Sequence, residues 1–206
     1  MADSPWPTIH AERAALADDL ANLSAEQWKT PSLCQGWDVH QVLAHQVATA
    51  KTTVGSFFPK FIASGFSLDK MGQKDLEAEA AGGPSATLAA FRAVGASTKS
   101  PPGPKDSWLG EALVHAEDIR RPLGLTRAYP PDWVTRTIDF YVKGNLVVGG
   151  KKRVAGMTLQ ATDTDWSHGS GPLVEGPAIA LLMAATGRQQ YLDDLSGPGV
   201  EILRSR

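Results

Sequence analysis

The chain has 206 residues, 42% of them hydrophobic, enough to bury a real core in one or two domains. Its 22 acidic and 20 basic residues nearly balance, and the longest cationic run is Lys151-Lys152-Arg153, so nucleic acid and membrane surfaces are not expected as partners and a small molecule is the default. The single cysteine, Cys34, excludes an internal disulfide, "MADSPWPTIH" lacks a charged segment followed by an apolar core, and "PAIALLMAAT" is about half a bilayer span; a cytoplasmic protein is expected.

In chain order, "TIHAERAALADDLANL" sets Ile9, Leu16, Leu20 and Leu23 at helical intervals, with Thr8 available as a cap. Ser24 with Gln27 opens a short second turn, and Pro31 and Gly36 break "KTPSLCQG" into a loop. Asp38 and Gln41 form a capping box that predicts a helix from about Val39, and Trp37 can staple onto its first turn. Val39, Val42, Leu43 and Val47 make the apolar stripe, with His45 on its flank beside Val42 and Thr49. Between Lys51 and Gly83 aromatics mix with Gly and Pro without a sustained period, which reads as a frayed helix end and a loop. "PSATLAAFRAVGAS" resumes a helix, with Ser85 as cap and Leu88, Phe91 and Val94 in step.

A fourth helix runs from Ser107 to Arg121, stopped by Pro122 and Gly124, and "PPDWVTRTIDFYVKGNLV" makes a fifth with Pro in its first turn. After "GGKKR" the period moves towards two: Val154, Met157 and Leu159 suggest a strand reaching a turn at Asp163 to Asp165, and "GPLVEG" a second strand. Pro177 opens a helix closed by Gly187, and "YLDDLSGPGVEILRSR" reads as a helical turn and a last strand. The expected organisation is α+β: a helical bundle over 1–150 and a small C-terminal α/β domain over 151–206, divided near 149 to 153.

Residues four apart on a helix lie about 40° apart around it, so Glu111 and His115 project from one face and can share an ion. Carboxylate and imidazole suit zinc and other divalent metals, but a catalytic site needs a third ligand and an open position. His45, on another helix at the edge of a core-facing stripe, is the candidate, with His10, His40 and His168 competing; His40 is expected to be exposed and His168 falls in a Gly-rich turn. Spacing alone favours the plainer readings, a solvated face and a satisfied core histidine, over a three-ligand site. Asp118 shares the face and can hydrogen-bond a ligand histidine from behind, or stay solvated. Arg120 and Arg121 suit the negative end of the helix dipole, and Cys34 reads as a small, partly buried side chain.

"CQGWDVHQVLAH" followed by "EALVHAEDIRRPLG" resembles the mycothiol-dependent maleylpyruvate isomerase family of the DinB-like superfamily, and "LQATDTDWSHGSGPLVEGPAIALLMAATGR" with "LSGPGV" resembles its appended domain. The likeness is weakest between Lys51 and Gly83. It implies a four-helix bundle of up-down-down-up type holding a divalent metal, most simply Zn2+, on His45, Glu111 and His115. It further implies mycothiol as the thiol cosubstrate, attacking an electrophilic small molecule, either to isomerise it or to remain attached to it. The family also brings an arginine from the appended domain towards the metal; Arg188, after Gly187, is considered for that catalytic or substrate-binding role without a motif match. Bacillithiol or glutathione in the thiol's place, and a noncatalytic metal- or ligand-binding protein of the same fold, are the alternatives; a monomer or a homodimer fits either.

Overall fold

Helix starts in this chain are written by short polar side chains and prolines, and in the computed structural model, which describes residues 4–145 and 148–206, they dictate most boundaries. Helix α1 (Trp6–Asp19) begins behind Pro5 with Pro7 in its first turn, so Thr8 lies inside the helix and not at its cap. Reciprocal capping boxes open α2 (Ala25–Trp28) through Ser24 and Gln27, and α3 (Val39–Lys51) through Asp38 and Gln41. The segment expected as a loop instead forms α4 (Val54–Ala63) and α5 (Leu68–Ala80). Thr53 caps α4 in a box with Ser56, and the Ser67 hydroxyl accepts from the Lys70 N–H to start α5. Pro59 inside α4 had masked that helix in the periodic pattern.

Next come α6 (Gly83–Ala93), which takes in Ser85, and α7 (Lys105–Arg120), continued by a 3-10 turn, Arg121–Leu123, and closed by Gly124 in the left-handed region at φ 68°. Helices α1, α6, α3 and α7 pack in that cyclic order, so α1 and α3, neighbours along the chain but for the short α2, lie across the diagonal of a four-helix bundle. The core between them is Leu16, Leu20, Val39, Val42, Leu43, Val47, Leu88, Phe91, Ala116 and Ile119. Helix α5 packs on α3 and α6, and α4 on α5. Arg120 is fully buried: its guanidinium binds Glu12 and, at 2.7 Å, Asp19, fastening α7 to α1, where the sequence suggested only a partner for the helix dipole.

The chain divides into two compact units, Met1–Thr126 and Arg127–Arg206. The division falls ahead of α8 (Pro131–Lys143) and not near 149 to 153, because α8 packs on α9 (Gly150–Val154) and on α10 (Ala178–Ala185). Val154 thus belongs to a short helix, and the strand begins at Thr158. Within the second unit β1 (Thr158–Ala161) is central, antiparallel to β2 (Ser167–Gly169) and parallel to β3 (Leu173–Gly176). Asp163 accepts from the Ala178 N–H and so caps α10, and Trp166 donates its indole N–H to Asp139. The last segment is a helix, α11 (Val200–Arg204), not a strand; among the described residues the ladder contact there is the bridge of Ser196 to Glu175. The end of the expected fifth helix falls partly on residues 146 and 147, outside the described residues. No helix among them is long and apolar enough to cross a membrane. The bundle with its small sheet is the DinB-like α+β architecture.

Candidate metal centre

Helices α3 and α7 are neighbours in the bundle, and each turns a polar strip towards the other. From α3 come His45 and, four residues on, Thr49; from α7 come Glu111, His115 and Asp118. His45 Nε2 lies 2.7 Å and His115 Nε2 3.6 Å from the same oxygen, Glu111 Oε1. One donor atom from each of the three lies within 4.8 Å of the others. Ligands of a tetrahedral zinc ion with bonds near 2.0–2.1 Å sit roughly 3.3 Å apart, so the observed spacing and the two-imidazole, one-carboxylate chemistry fit such an ion.

Each candidate ligand is held by a partner. The Thr49 hydroxyl donates to Glu111 Oε1 at 3.4 Å, and the Trp37 ring packs on the His45 ring with centroids 5.1 Å apart, one turn beyond the first-turn staple expected of it. His115 Nδ1 lies 2.9 Å from Asp118 Oδ2, and Asp118 is fully buried, so the carboxylate orients the ring and leaves Nε2 aimed at Glu111. Of the two expectations for Asp118, a hydrogen bond to a histidine or a solvated carboxylate, the bond to His115 is the one observed.

The electrostatics follow from this packing. Burial acts to raise the Glu111 pKa, but the imidazoles of His115 and His45, with hydrogen bonds from His45 and Thr49, hold it down to about 2. Burial acts to lower that of His115, yet the Glu111 and Asp118 carboxylates and the Cys34 hydrogen bond carry it well above the ordinary imidazole value.

Cys34 is the neighbour that residue spacing gave no means of finding. The Leu33 N–H donates to the Asp118 carbonyl at 3.1 Å, laying the loop after α2 on α7, so that the Cys34 thiol donates to Asp118 Oδ2 at 3.0 Å and lies 3.5 Å from His115 Nδ1. Cys34, His115 and Asp118 form a second group close enough to hold an ion. Here, however, the His115 nitrogen is the one engaged with the carboxylate.

The competing histidines lie elsewhere. His10 reaches the Ser97 carbonyl at 3.2 Å and stacks on Trp6. His40 is half-buried, bonded to the Thr87 hydroxyl at 2.8 Å, and burial lowers its pKa; the exposure expected of it is not observed. His168 stacks on Trp166 in the second unit. Arg188, also in that unit, donates to the Thr186 carbonyl at 3.1 Å.

The description "mycothiol maleylpyruvate isomerase N-terminal domain" is that of the family model matching residues 9–120. No curated protein matches the chain by sequence. Among solved structures, the chain is similar to a crystal structure of the mycothiol-dependent maleylpyruvate isomerase at TM-score 0.63 and 14% identity, and to a histidine-to-alanine mutant of that enzyme at TM-score 0.63 and 13% identity. Either alignment covers 94% of this chain and 91% of the other, and at that identity shows the fold alone. The matched segment is more than half of the sequence and contains His45, Glu111, His115 and Asp118, and the chain belongs to the mycothiol maleylpyruvate isomerase N-terminal domain family.

Proposed function

We propose that the protein is an enzyme that uses a divalent metal, most simply Zn2+, and mycothiol to act on a small electrophile, by maleylpyruvate-type isomerisation or by transfer of the thiol. The observation that carries this reading is the convergence of His45, Glu111 and His115 from two helices with their donor atoms within 4.8 Å. Family membership and the likeness to an isomerase that depends on mycothiol support the choice of thiol.

A zinc-bound thiol loses its proton far more readily than a free one, and this is the chemistry the ion would supply. The protein's own residues do the rest. His45 and His115 supply imidazole nitrogens and Glu111 a carboxylate oxygen, three ligands that leave a fourth position open. Asp118 holds His115 in one tautomer, and Trp37 shields His45 on one side. A cavity of about 300 Å³ bordered by His45 and Glu111 gives the electrophile room beside them. Cys34 already donates to Asp118, so the nucleophilic sulfur is assigned to the cosubstrate and not to the protein.

Metal analysis of the purified protein is expected to give one divalent ion per chain. His45→Ala and Glu111→Ala should each abolish its retention and metal-dependent mycothiol consumption. Unchanged metal content in both variants, or faster turnover with bacillithiol or glutathione than with mycothiol, would overturn the metal or the thiol assignment respectively. A cytoplasmic site of action and a monomeric or homodimeric state belong to the same reading.

A further inference from the structure

Glu111 borders two spaces of very different size. The cavity of about 300 Å³ it shares with His45, and a crevice with a free volume of about 10 Å³ it shares with Gln46. His45 and Gln46 are consecutive on α3, so their side chains leave the helix about 100° apart, one towards each space. Thr49 and Glu111 line both and form the wall between them. Arg13, Lys99 and Ser100 bring further polar groups to the crevice, which Trp6, Trp108 and Ala112 complete.

Gln46 is only 4% exposed, and its Nε2 is buried without a hydrogen-bond partner among the described residues. Buried amide donors are nearly always paired, with protein or with ordered water. The other donors at the crevice are committed or solvated: the Thr49 hydroxyl donates to Glu111 Oε1, the Arg13 guanidinium to the Val94 and Ser97 carbonyls, and Lys99 stands exposed. Among the described residues the contacts of the Glu111 carboxylate, from His45, His115 and Thr49, all run through Oε1. An unpaired donor and the second oxygen of a carboxylate thus border one small space.

That space has the room of a single water and is too small for a carboxylate or a phosphate. Water also has the chemistry, since its oxygen can accept from an amide while its hydrogens donate to a carboxylate. The local field favours the same orientation. Burial lowers the Arg13 pKa, and the Glu111 charge opposes that shift, so a cation and a carboxylate act across the crevice and turn the hydrogens of a water towards Glu111.

We infer that the crevice is a binding site for one ordered water, which accepts from Gln46 Nε2 and donates to Glu111 Oε2, and that Gln46 is thereby a positioning residue for Glu111; the positioning role rests on the reading of Glu111 as a metal ligand. With Oε2 held from the crevice, Oε1 stays turned to His45 and His115. Gln46 does not line the larger cavity, so it acts on the centre through the water and Glu111 and not on the electrophile. Partners of this kind, one step behind a metal ligand, are worth about 10–100-fold in metal affinity.

Two substitutions separate a water site from a packing role. Gln46→Met keeps the length of the side chain and removes the amide, which leaves the water without its donor; Gln46→Ala removes the bulk as well and leaves a polar hole with room for a second water in the amide's place. Zinc affinity in chelator competition should therefore fall by about tenfold or more in Gln46→Met and by less than about threefold in Gln46→Ala. A packing role gives the opposite order, because Gln46→Ala opens the larger hole. The melting temperature of the metal-free protein should fall less in Gln46→Met than in Gln46→Ala, which tells a loss of affinity from a loss of fold. A crystal structure of the zinc-free protein should show solvent density within hydrogen-bonding distance of Gln46 Nε2 and Glu111 Oε2, absent in Gln46→Met. No such density in the unaltered protein, zinc affinity kept within about threefold in Gln46→Met, or a larger loss in Gln46→Ala than in Gln46→Met would overturn the inference. If the unaltered protein takes up no zinc, the metal reading fails and the positioning role with it, while the density between Gln46 and Glu111 still decides the water site.

Discussion

Two charged clusters hang on α7, one turned towards α1 and the other towards α3, and they use their charges in opposite ways. Arg120 faces α1, where Glu12 and Asp19 meet its guanidinium, and neither Arg120 nor Glu12 is more than 1% exposed. Glu111 and His115 face α3, where His45 meets them; His45 and Glu111 are each about a quarter exposed and border a cavity of about 300 Å³. In the first cluster fixed opposite charges close on one another and fasten two helices. In the second, two imidazoles converge on one carboxylate oxygen beside open space, an arrangement in which an ion can replace the protons. Charge on a helix face is therefore not by itself a sign of function; what distinguishes the clusters is ligand-type nitrogen atoms and access.

The largest expected effect comes from breaking the closed cluster. Arg120→Ala removes the buried guanidinium that joins Glu12 and Asp19 to α7 and should cost about 3–5 kcal/mol of unfolding free energy in chemical denaturation. Zinc affinity of the remaining folded protein should stay within about threefold, because the ion pairs of Arg120 to Glu12 and Asp19 run to α1, whereas the candidate ligands meet between α7 and α3. A large loss of zinc affinity with stability intact would erase the distinction between the two clusters.

The same contrast explains what could be read in the sequence. Glu111 and His115 were legible because i and i+4 on a helix share a face whatever the tertiary structure, and Asp38 with Gln41 fixed the start of α3 and hence the phase of His45. The ion pairs of Arg120 were not legible because its partners lie 108 and 101 residues away on α1, and helix-end position suggested only the dipole. Helices α4 and α5 were hidden by Gly55, Pro59 and Gly72, while the caps that start them, Thr53 and Ser67, are single residues in an aromatic-rich stretch. The Cys34 contact depends on a loop laid on α7 by a backbone hydrogen bond, which leaves no periodic trace.

Next in size is a change within the open cluster that spares the ligands. Asp118→Asn keeps the shape but removes the carboxylate that fixes the His115 tautomer, and zinc affinity should fall 10–100-fold in competition titrations with a chelator. The melting temperature of the metal-free protein should move much less than in Arg120→Ala. Equal destabilisation by the two substitutions would place Asp118 with the closed, purely structural cluster.

A smaller effect should appear with pH. Zinc must displace a proton from His115, whose pKa is raised above the ordinary imidazole value, so affinity should climb about tenfold per pH unit below that raised pKa and level off above it, with one proton released per ion bound. In the metal-free protein, the stability contributed by His115 is fully present below its unfolded pKa and lost as pH rises through the raised folded value. That of Glu111 is present above its unfolded value near 4.5 and lost as pH falls towards about 2. Zinc affinity that does not vary with pH would show that His115 is not a ligand.

The smallest effect distinguishes Cys34 as a support from Cys34 as a ligand. Its thiol donates to the same Asp118 oxygen that holds His115, so Cys34→Ser, which keeps a donor at that position, should leave zinc affinity within about threefold, and Cys34→Ala should lower it by less than tenfold. The reason for so modest a loss is that Asp118 retains its bond to His115 when the thiol is removed. Cobalt substitution supplies the decisive spectrum: with nitrogen and oxygen ligands alone, the cobalt protein without added thiol should lack the strong near-ultraviolet sulfur-to-metal absorption and gain it when mycothiol is added. That absorption appearing before any thiol is added, and vanishing in Cys34→Ser, would move the ion to the Cys34, His115 and Asp118 side of the ring and make α7 the carrier of a different centre.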